Sequence, residues 1–171
     1  RDTPFVSNRP TLAGSPAIRT AGRRALELAG IGIDDIAHID LYSCFPSAVE
    51  VAAQELGLAI DRQLTVTGGL SFAGGPWNNY VSHSIATMVD VLRADPGSMG
   101  LITANGGFLT KHAMGVYSTE PPPQPFGWAS TQDEVDAAGS VEVCDSFDGD
   151  VVIEAYTLMH ARDGSPELAI A

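Results

Sequence analysis

Three segments of the chain carry apolar side chains every three or four residues, which is the spacing of one face of an α-helix. The first segment, 15–30, opens with Ser15 and a proline, a favourable cap and first helical residue, and it closes with a glycine. The second segment spans 46–57, and the third spans 77–94 and is followed by Asp-Pro-Gly. The pattern therefore predicts three amphipathic helices.

Short runs of β-branched and aliphatic residues lie between and after these helices, and such runs are typical of strands. They cover 36–42, 64–67, 100–104 and 111–117, with a glycine-containing turn between the last two. Strands that alternate with helices indicate an α/β layered domain, which we assign to residues 1–118.

The sequence changes character at 119–128, which contains EPPPQPFGW and predicts a stiff connector. Only strand-like runs follow, at 141–144, 151–164 and 167–171, and the second ends in an Asp-Gly hairpin signal. A hairpin and a half cannot bury a core alone. We therefore expect residues 129–171 to be the start of a small additional β module.

The composition excludes several classes of function. The 171-residue chain is 44% hydrophobic, which supports a folded core, and its formal net charge is -12. A nucleic-acid partner is not expected, because the nine lysines and arginines are dispersed rather than clustered. No apolar run approaches the length of a membrane span. Since the chain begins with arginine rather than methionine, we expect it to be part of a longer protein. Its two isolated cysteines favour a reducing, cytoplasmic location.

The two cysteines, Cys44 and Cys144, lie far apart and have no CxxC spacing. Neither a disulfide framework nor a zinc site is therefore expected, and no other metal site is predicted. In a reducing compartment the Cys44 thiol is free for chemistry.

A glycine-rich segment, TVTGGLSFAGGPWNNY at 65–80, leads into the third predicted helix. The spacing from Gly69 to Gly74 is that of a phosphate-binding loop, but Gly75 and Pro76 stand where lysine and serine or threonine are required. Two interpretations remain. The backbone approaches a carbonyl oxygen or an anion with free amides, or the loop is simply a tight connection.

Two other turn segments also follow predicted strands, YSCF at 42–45 and TANGG at 103–107. Loops at the carboxyl ends of strands in an open α/β sheet converge on one crevice. We therefore expect three loops to form a polar pocket. Its candidate side chains are Tyr42, Ser43, Cys44, Asn78, Asn79, Thr103 and Asn105.

Three motifs occur here in the order and at the approximate spacing found in a known family: DLYSCFPSA at 40–48, TVTGGLSFAGGPWNNY at 65–80, and TANGG at 103–107. Over residues 15–118 the chain resembles the C-terminal half of a thiolase, and its SCF is similar to the HDCF of sterol-carrier type thiolases. The resemblance implies a three-layer α/β fold with a mixed sheet. It extends to thiolase-like proteins with an extra C-terminal β domain, so we interpret 129–171 as an OB-like module that contacts proteins.

Three positions depart from the thiolase motifs. By position, Gly75 corresponds to the family's GHP histidine, Thr103 to the CxG cysteine and Tyr42 to the NEAF asparagine. Glycine cannot accept a proton, and a threonine hydroxyl is too weak an acid to replace a thiol. Claisen condensation by the standard thiolase mechanism is therefore not expected.

Other residues of the expected pocket are candidates for the missing chemistry. Cys44, Tyr42 and His112 are the candidate catalytic residues, with a small buried hydrophobe as the alternative for Cys44 and a structural role as the alternative for His112. The candidate substrate-binding residues are Gly74, Gly75, Asn78, Asn79, Asn105 and Gly106. The two asparagines in the loop are equally suited to capping the helix.

The remaining polar candidates have simpler interpretations. Lys111 either meets a CoA phosphate or is solvated, and His83 is expected to be exposed. His38 and His160 are expected to be structural.

The resemblance implies that this chain is a fragment of an acetyl-CoA acetyltransferase-like acyltransferase that acts on acyl-CoA thioesters, with degenerate catalytic motifs. The alternative is a non-catalytic CoA- or lipid-binding or scaffold partner protein. CoA or acyl-CoA is the expected ligand, and no covalently bound cofactor is expected. Because the N-terminal thiolase half with its nucleophilic cysteine is missing, this chain alone is expected to be inactive. Both self-association and a protein partner remain open.

Overall fold

The computed structural model describes all 171 residues. Its helices and strands, in chain order, are α1 (Pro16–Ala29), β1 (Ile36–Asp40), α2 (Pro46–Leu56), α3 (Leu70–Ala73), α4 (Tyr80–Ala94), β2 (Met99–Gly106), β3 (Lys111–Ser118), α5 (Gln132–Asp136), β4 (Thr157–His160) and β5 (Pro166–Ile170). Single 3₁₀ turns lie at Val6–Asn8, Ile33–Asp35 and Trp77–Asn79. The chain divides into two compact units, Arg1–Val141 and Glu142–Ala171.

The larger unit is built on a three-stranded sheet in the order β1-β2-β3. β1 runs parallel to β2, with Ile36 opposite Met99, and β2 runs antiparallel to β3, with Asn105 opposite His112. A parallel pair needs a long crossover, which the segment containing α2 to α4 supplies, whereas a short turn joins the antiparallel pair. The predicted α/β fold with a mixed sheet is confirmed.

Helices cover both faces of this sheet. Leu101 belongs to one core cluster with Ile18 of α1 and Ala52 of α2. Its neighbour Ile102 belongs to a second cluster with Met88 and Leu92 of α4. Adjacent residues of a strand point to opposite faces, so the sheet lies between α1 and α2 on one side and α4 on the other.

The ends of the first two helices follow their sequence signals. The Ser15 hydroxyl accepts a hydrogen bond from the Ile18 amide at 3.1 Å, and α1 ends at Gly30, which has a φ of 70°. α2 begins at Pro46 and ends before Gly57, which has a φ of 71°. Both glycines lie in the left-handed region, where other residues are strained.

Several strand predictions are wrong. Residues 64–67 form no strand, because the amides of Val66 and Thr67 bond to the Asp40 carboxylate instead of to a neighbouring strand. Residues 141–144 and 151–156 also lie outside any strand. The Val141 amide donates to the Asn8 carbonyl at 2.9 Å rather than to a strand.

Two helical features also differ from the prediction. A short helix, α5, lies where only strands are expected from the sequence. The third predicted helix opens with a 3₁₀ turn at Trp77–Asn79 before α4 begins. The glycine loop itself, residues 65–80, contains the one-turn helix α3.

The smaller unit contains the antiparallel hairpin β4-β5. Its turn is the predicted Asp-Gly turn, in which Asp163 Oδ1 accepts a hydrogen bond from the Ser165 amide at 3.0 Å and Gly164 has a φ of 84°. Both strands are exposed along their length. The boundaries at residues 118 and 128 and the OB-like character of the module stay predictions. No helix of the structure combines the length and the apolar character needed to cross a membrane.

Candidate functional site

The ends of β1 and β2 meet the glycine loop. The Tyr42 amide, just after β1, donates a hydrogen bond to Thr103 Oγ1 on β2 at 2.9 Å. The next residue, Ser43, accepts a hydrogen bond from the Leu70 amide of the glycine loop at 3.0 Å. The segment after β1 therefore contacts both other segments, and it is the centre of the candidate site.

Cys44 and Asn105 are in direct contact at this centre. The Asn105 Nδ2 group donates a hydrogen bond to the half-buried Cys44 Sγ at 3.3 Å. The other polar atom of the same amide, Asn105 Oδ1, is buried and has no hydrogen-bond partner. Buried polar atoms are rarely left unpaired, so this oxygen marks a place for a donor from a water or a ligand.

A small cavity of about 10 Å³ adjoins Asn105. Its polar lining consists of Tyr42, Thr103, Asn105 and His112. A volume of this size holds a single water molecule. The enclosed part of the site is therefore far smaller than the roughly 300 Å³ that ligand pockets usually occupy.

β3 places His112 between the cavity and the N-terminal segment. Its side chain is 3% exposed, and its Nε2 lies 3.5 Å from both Asp2 Oδ2 and Ser15 Oγ. Burial raises the pKa of Asp2, but hydrogen bonds with His112, Ser15 and the Ala17 amide outweigh burial and lower that pKa overall. An ionised carboxylate therefore stands beside the imidazole at neutral pH.

A second buried carboxylate, Asp40, holds the glycine loop to the end of β1. Its Oδ1 accepts hydrogen bonds from the hydroxyls of Thr65 at 2.7 Å and Thr67 at 3.1 Å. Its Oδ2 accepts hydrogen bonds from the hydroxyls of Tyr80 at 2.9 Å and Ser84 at 2.5 Å on α4. Asp40 therefore fixes the start of the loop and of α4 relative to the sheet, without a basic partner.

Two tyrosines border this network. Burial raises the pKa of Tyr80 to about 12, and the Asp40 charge adds to that effect. Burial is also the main cause of the raised pKa of Tyr42, with a smaller contribution from Cys44. The two rings meet edge to face at 5.2 Å. Both phenols therefore stay protonated at neutral pH and are hydrogen-bond donors rather than bases.

The amides at the start of α3 are already used within the protein. The Gly69 amide donates to the hydroxyls of Thr65 and Thr67, at 3.0 Å in each case. The Leu70 amide donates to Ser43, as described above. These two amides are therefore not free to bind a carbonyl oxygen or an anion. The interpretation of the glycine loop as a binding loop with free amides does not hold for them.

The C-terminal part of the glycine loop lies away from the cavity. Gly74 and Gly75 are exposed, and no atom lies within 4 Å of the position that a Cβ would take at either residue. Asn78 and Asn79 are also exposed, and Asn79 precedes α4 without forming a side-chain capping bond. The structure therefore brings none of these four candidate binding residues to the cavity.

The other candidates are dispersed over the surface. Gly106 ends β2, and its carbonyl accepts a hydrogen bond from the Thr110 amide at 3.2 Å. Lys111 is exposed at the start of β3, and His83 is exposed on α4. Of the two histidines interpreted as structural, His38 lies 2.8 Å from Asp95 Oδ2, and His160 is exposed on β4.

Sequence reasoning missed Asp2, Ser15 and Asp40 as parts of the site. Asp40 had a usable signal, because it closes a strand and opens the DLYSCFPSA motif. Asp2 had none, because it lies in an irregular segment whose contacts with α1 and β3 are set only by the tertiary fold. Ser15 had a sufficient explanation as a helix cap.

No protein-family model matches the chain, and no curated protein matches it. Among solved structures, the chain is similar to a monomeric SCP2-thiolase-like protein type 1 from Mycobacterium smegmatis, with 41% sequence identity and a TM-score of 0.82. The fold is thiolase-like. The match covers 96% of this chain and 40% of the M. smegmatis chain, so this chain spans less than half the length of that thiolase-like neighbour.

Two positions of the thiolase-like fold lack the side chains that the resemblance assigns to them. Gly75 is an exposed loop residue with no side chain, and the buried Thr103 hydroxyl accepts the Tyr42 amide. Neither residue can exchange a proton near neutral pH. The other ionisable side chains at this end of the sheet are Cys44, His112 and Tyr42, of which the Tyr42 phenol stays protonated at neutral pH.

Proposed function

We propose that the protein binds an acyl-CoA or a related thioester where the ends of β1 and β2 meet the glycine loop. The observation that carries the proposal is the contact of Asn105 with Cys44 beside a cavity that His112 also lines. The amide with its unpaired atom and the imidazole line the cavity together with apolar side chains such as Leu109 and Met114, and the Cys44 thiol contacts the amide. A few polar groups in an apolar lining are the usual composition of a ligand site.

The chemistry of this group fits acyl transfer from a thioester. Acyl transfer needs a thiol, a proton acceptor and hydrogen-bond donors for the developing oxyanion. Beside the nucleophilic cysteine of the missing half, Cys44 would supply the second thiol, His112 the proton acceptor and the Asn105 amide a hydrogen-bond donor. We therefore propose that the full-length protein is an acetyl-CoA acetyltransferase-like acyltransferase in which these residues replace the side chains absent at Gly75 and Thr103.

The architecture of the full-length protein is part of the proposal. We assign residues 1–118 to the C-terminal half of a thiolase-like protein and 129–171 to an additional β module. The order of the three motifs, at 40–48, 65–80 and 103–107, supports the first assignment, and the proline-rich connector that precedes 129–171 supports the second. An N-terminal half would then supply the nucleophilic cysteine, and this chain alone is expected to be inactive.

One observation favours a second candidate function, a non-catalytic thioester- or lipid-binding protein. The Thr103 hydroxyl is committed to the Tyr42 amide, and Gly75 offers no base. A protein could keep the fold and the ligand site while losing the reaction. Binding without turnover is the result that this second candidate predicts.

Two measurements on the full-length protein test the proposal. The first is the thermal shift with CoA and with acetoacetyl-CoA, with ATP as a control that shares only the adenine nucleotide. The second is thiolysis of acetoacetyl-CoA. A shift with turnover is the result expected for the acyltransferase, and a shift without turnover supports the binding protein. No shift with CoA or with acetoacetyl-CoA would contradict both the acyltransferase and a thioester-binding protein.

A further inference from the structure

Three side chains from distant parts of the chain meet in a buried cluster behind the cavity: Asp2, Ser15 and His112. Ser15 Oγ donates to Asp2 Oδ2 at 2.5 Å, and His112 Nε2 lies 3.5 Å from each of those two oxygens. The side chains of Asp2 and His112 are each 3% exposed. A buried carboxylate in contact with an imidazole is the arrangement that orients a catalytic base in many enzymes.

Helix capping explains two members of the cluster but not the third. Ser15 Oγ accepts the Ile18 amide at 3.1 Å, and Asp2 Oδ1 accepts the Ala17 amide at 2.9 Å. A carboxylate at the N-terminus of α1 is also favoured by the helix dipole. None of these contacts requires His112, which comes from β3, so the cap leaves the histidine unexplained.

His112 belongs both to the cluster and to the lining of the cavity. Its Nε2 is directed at Asp2 and Ser15, which leaves Nδ1 as the other ring nitrogen. Asn105 stands directly opposite His112 in the β2-β3 ladder, and both residues line the cavity. Facing Cβ atoms in such a pair are about 4.5–5.5 Å apart. The buried Asn105 Oδ1 has no hydrogen-bond partner, so a group bound in the cavity can donate to it.

We propose that Asp2, assisted by Ser15, is a positioning residue that holds His112 with Nε2–H directed at the carboxylate and Nδ1 presented to the cavity as the proton acceptor of the site. The class of substrate, a thioester, is taken from the proposed function. The orientation of the His112 ring does not depend on that function. Distances of 3.5 Å are long for hydrogen bonds, but such contacts are often long without a ligand and shorten in the complex.

The proton transfer that follows is balanced without any further reactant. A hydroxyl, thiol or water in the cavity gives its proton to Nδ1 and keeps the electron pair, which makes it the nucleophile. The imidazolium formed is stabilised by the Asp2 carboxylate, whose lowered pKa keeps it ionised. Asn105 Oδ1 is placed to accept a hydrogen bond from the same bound group. His112 thus supplies the base that Gly75 lacks.

The tautomer of His112 tests the positioning directly in the 171-residue chain. With histidine labelled by ¹⁵N, long-range ¹H–¹⁵N couplings distinguish protonated Nε2 from protonated Nδ1 in the neutral ring. We expect Nε2–H in the wild type. In Asp2→Asn the amide oxygen stays with the fixed Ala17 donor, so the NH₂ group faces Nε2, and we expect a switch to Nδ1–H.

Two further variants separate positioning from stability. Asp163→Asn is the matched control, because this hairpin carboxylate is also held by hydrogen bonds but is exposed and lies in the smaller unit. We expect it to leave the tautomer of His112 unchanged. Ser15→Ala removes the helix cap but keeps the Asp2 carboxylate, so we expect Nε2–H even where the melting temperature falls. Nδ1–H in the wild type, or Nε2–H in Asp2→Asn, overturns the inference.

Turnover of acetoacetyl-CoA by the full-length protein separates this inference from the proposed function. In Asp2→Asn we expect kcat to fall on the order of 10²-fold with KM unchanged, and we expect Asp2→Glu to recover part of the loss. An unchanged kcat overturns the inference and leaves the acyltransferase function intact. A wild type that binds CoA without turnover removes the proton-acceptor role together with the acyltransferase function, whereas the tautomer still reports the orientation.

Discussion

The glycine loop and the cavity beside Asn105 differ in what they contribute to the site. The loop carries the recognisable motif, yet its Gly75 and Asn78 are exposed and contact neither the cavity nor its reactive side chains. The cavity is instead lined by Tyr42 and Asn105 from the other two motifs, and Asn105 contacts Cys44 and faces His112 across the sheet. A positive φ at Gly68, Gly69 and Gly74 is enough to require glycine at these three positions. These glycines of the loop are therefore evidence for a fold rather than for a reaction.

The glycine loop and the cavity also differ in how completely their polar groups are hydrogen-bonded. At the start of the loop, the hydroxyls of Thr65 and Thr67 donate to Asp40, and the Gly69 amide donates to both threonine hydroxyls. The cavity keeps an unpaired oxygen on Asn105. Unsatisfied buried groups in native proteins are expected at functional positions. Substitutions in the loop should therefore cost stability, whereas substitutions at the cavity should cost ligand binding.

The largest effect on stability is expected from Asp40→Asn. The substitution keeps the shape of the side chain but replaces one carboxylate oxygen by an NH₂ group. Both oxygens of Asp40 accept hydrogen bonds, so one acceptor becomes a donor that faces other donors. We expect the free energy of unfolding in urea to fall by about 3 kcal/mol. Asp90→Asn is the control, because that side chain is 85% exposed, and its effect should stay within about 0.5 kcal/mol. A loss below about 1 kcal/mol at Asp40 would mean that the network does not hold the loop.

The next effect in size distinguishes two glycines of the same loop. Gly69 has a φ of 78° and a ψ of -177°, and a Cβ there would lie 2.7 Å from Ser43 Oγ. We expect Gly69→Ala to lower the free energy of unfolding by about 2 kcal/mol. Gly75→Ala meets no atom within 4 Å and should change it by less than about 0.5 kcal/mol. Equal costs at the two positions would contradict the division of the loop into a fixed and a free part.

A smaller and pH-dependent effect is expected from Asp2→Asn. Because the folded-state pKa of Asp2 lies below its ordinary value, the ionised form stabilises the fold above that ordinary value, and the stabilisation is lost as the pH falls through the folded-state pKa. We expect the free energy of unfolding of the wild type to be about 1–2 kcal/mol higher than that of Asp2→Asn at pH 7. This difference should become smaller as the pH is lowered. Urea unfolding of both chains across the acid range measures the difference. A difference that does not change with pH would exclude a role for the Asp2 charge.

The smallest effect on stability is expected from Asn105→Ala. The substitution removes an unpaired buried oxygen together with one weak hydrogen bond to sulfur, and these two changes have opposite effects on stability. We expect the free energy of unfolding to change by less than about 1 kcal/mol. A loss as large as that of Asp40→Asn would show that Asn105 is a structural residue.

Much of the larger unit could be predicted from the sequence because local signals agree with the tertiary structure. Ser15 and Gly30 bound α1 as the cap rules require, and Tyr42, Thr103 and Asn105 meet because loops at strand ends converge. The segment 64–67 could not be predicted, because its amides bond to the side chain of Asp40 rather than to a strand. No periodicity in the sequence reports such a contact.

The candidate site was predicted only in part, for a related reason. Cys44, Tyr42, His112 and Asn105 were found from strand-end positions and from the resemblance. Asp2 was missed because it contacts His112 from more than a hundred residues away in the sequence, through a segment with no regular structure. Tertiary packing determines which side chain contacts and orients His112, whereas sequence patterns predict mainly the helices and strands.

The affinity of the full-length protein for acetoacetyl-CoA in two asparagine variants tests the central claim, that the ligand chemistry lies at the cavity rather than in the exposed part of the glycine loop. Isothermal titration calorimetry would compare Asn105→Ala with Asn78→Ala, its exposed counterpart in the loop. We predict that Asn105→Ala raises Kd by about tenfold or more, equivalent to about 1.4 kcal/mol, whereas Asn78→Ala leaves Kd within about twofold. A Kd that rises in Asn78→Ala and is unchanged in Asn105→Ala would contradict the claim.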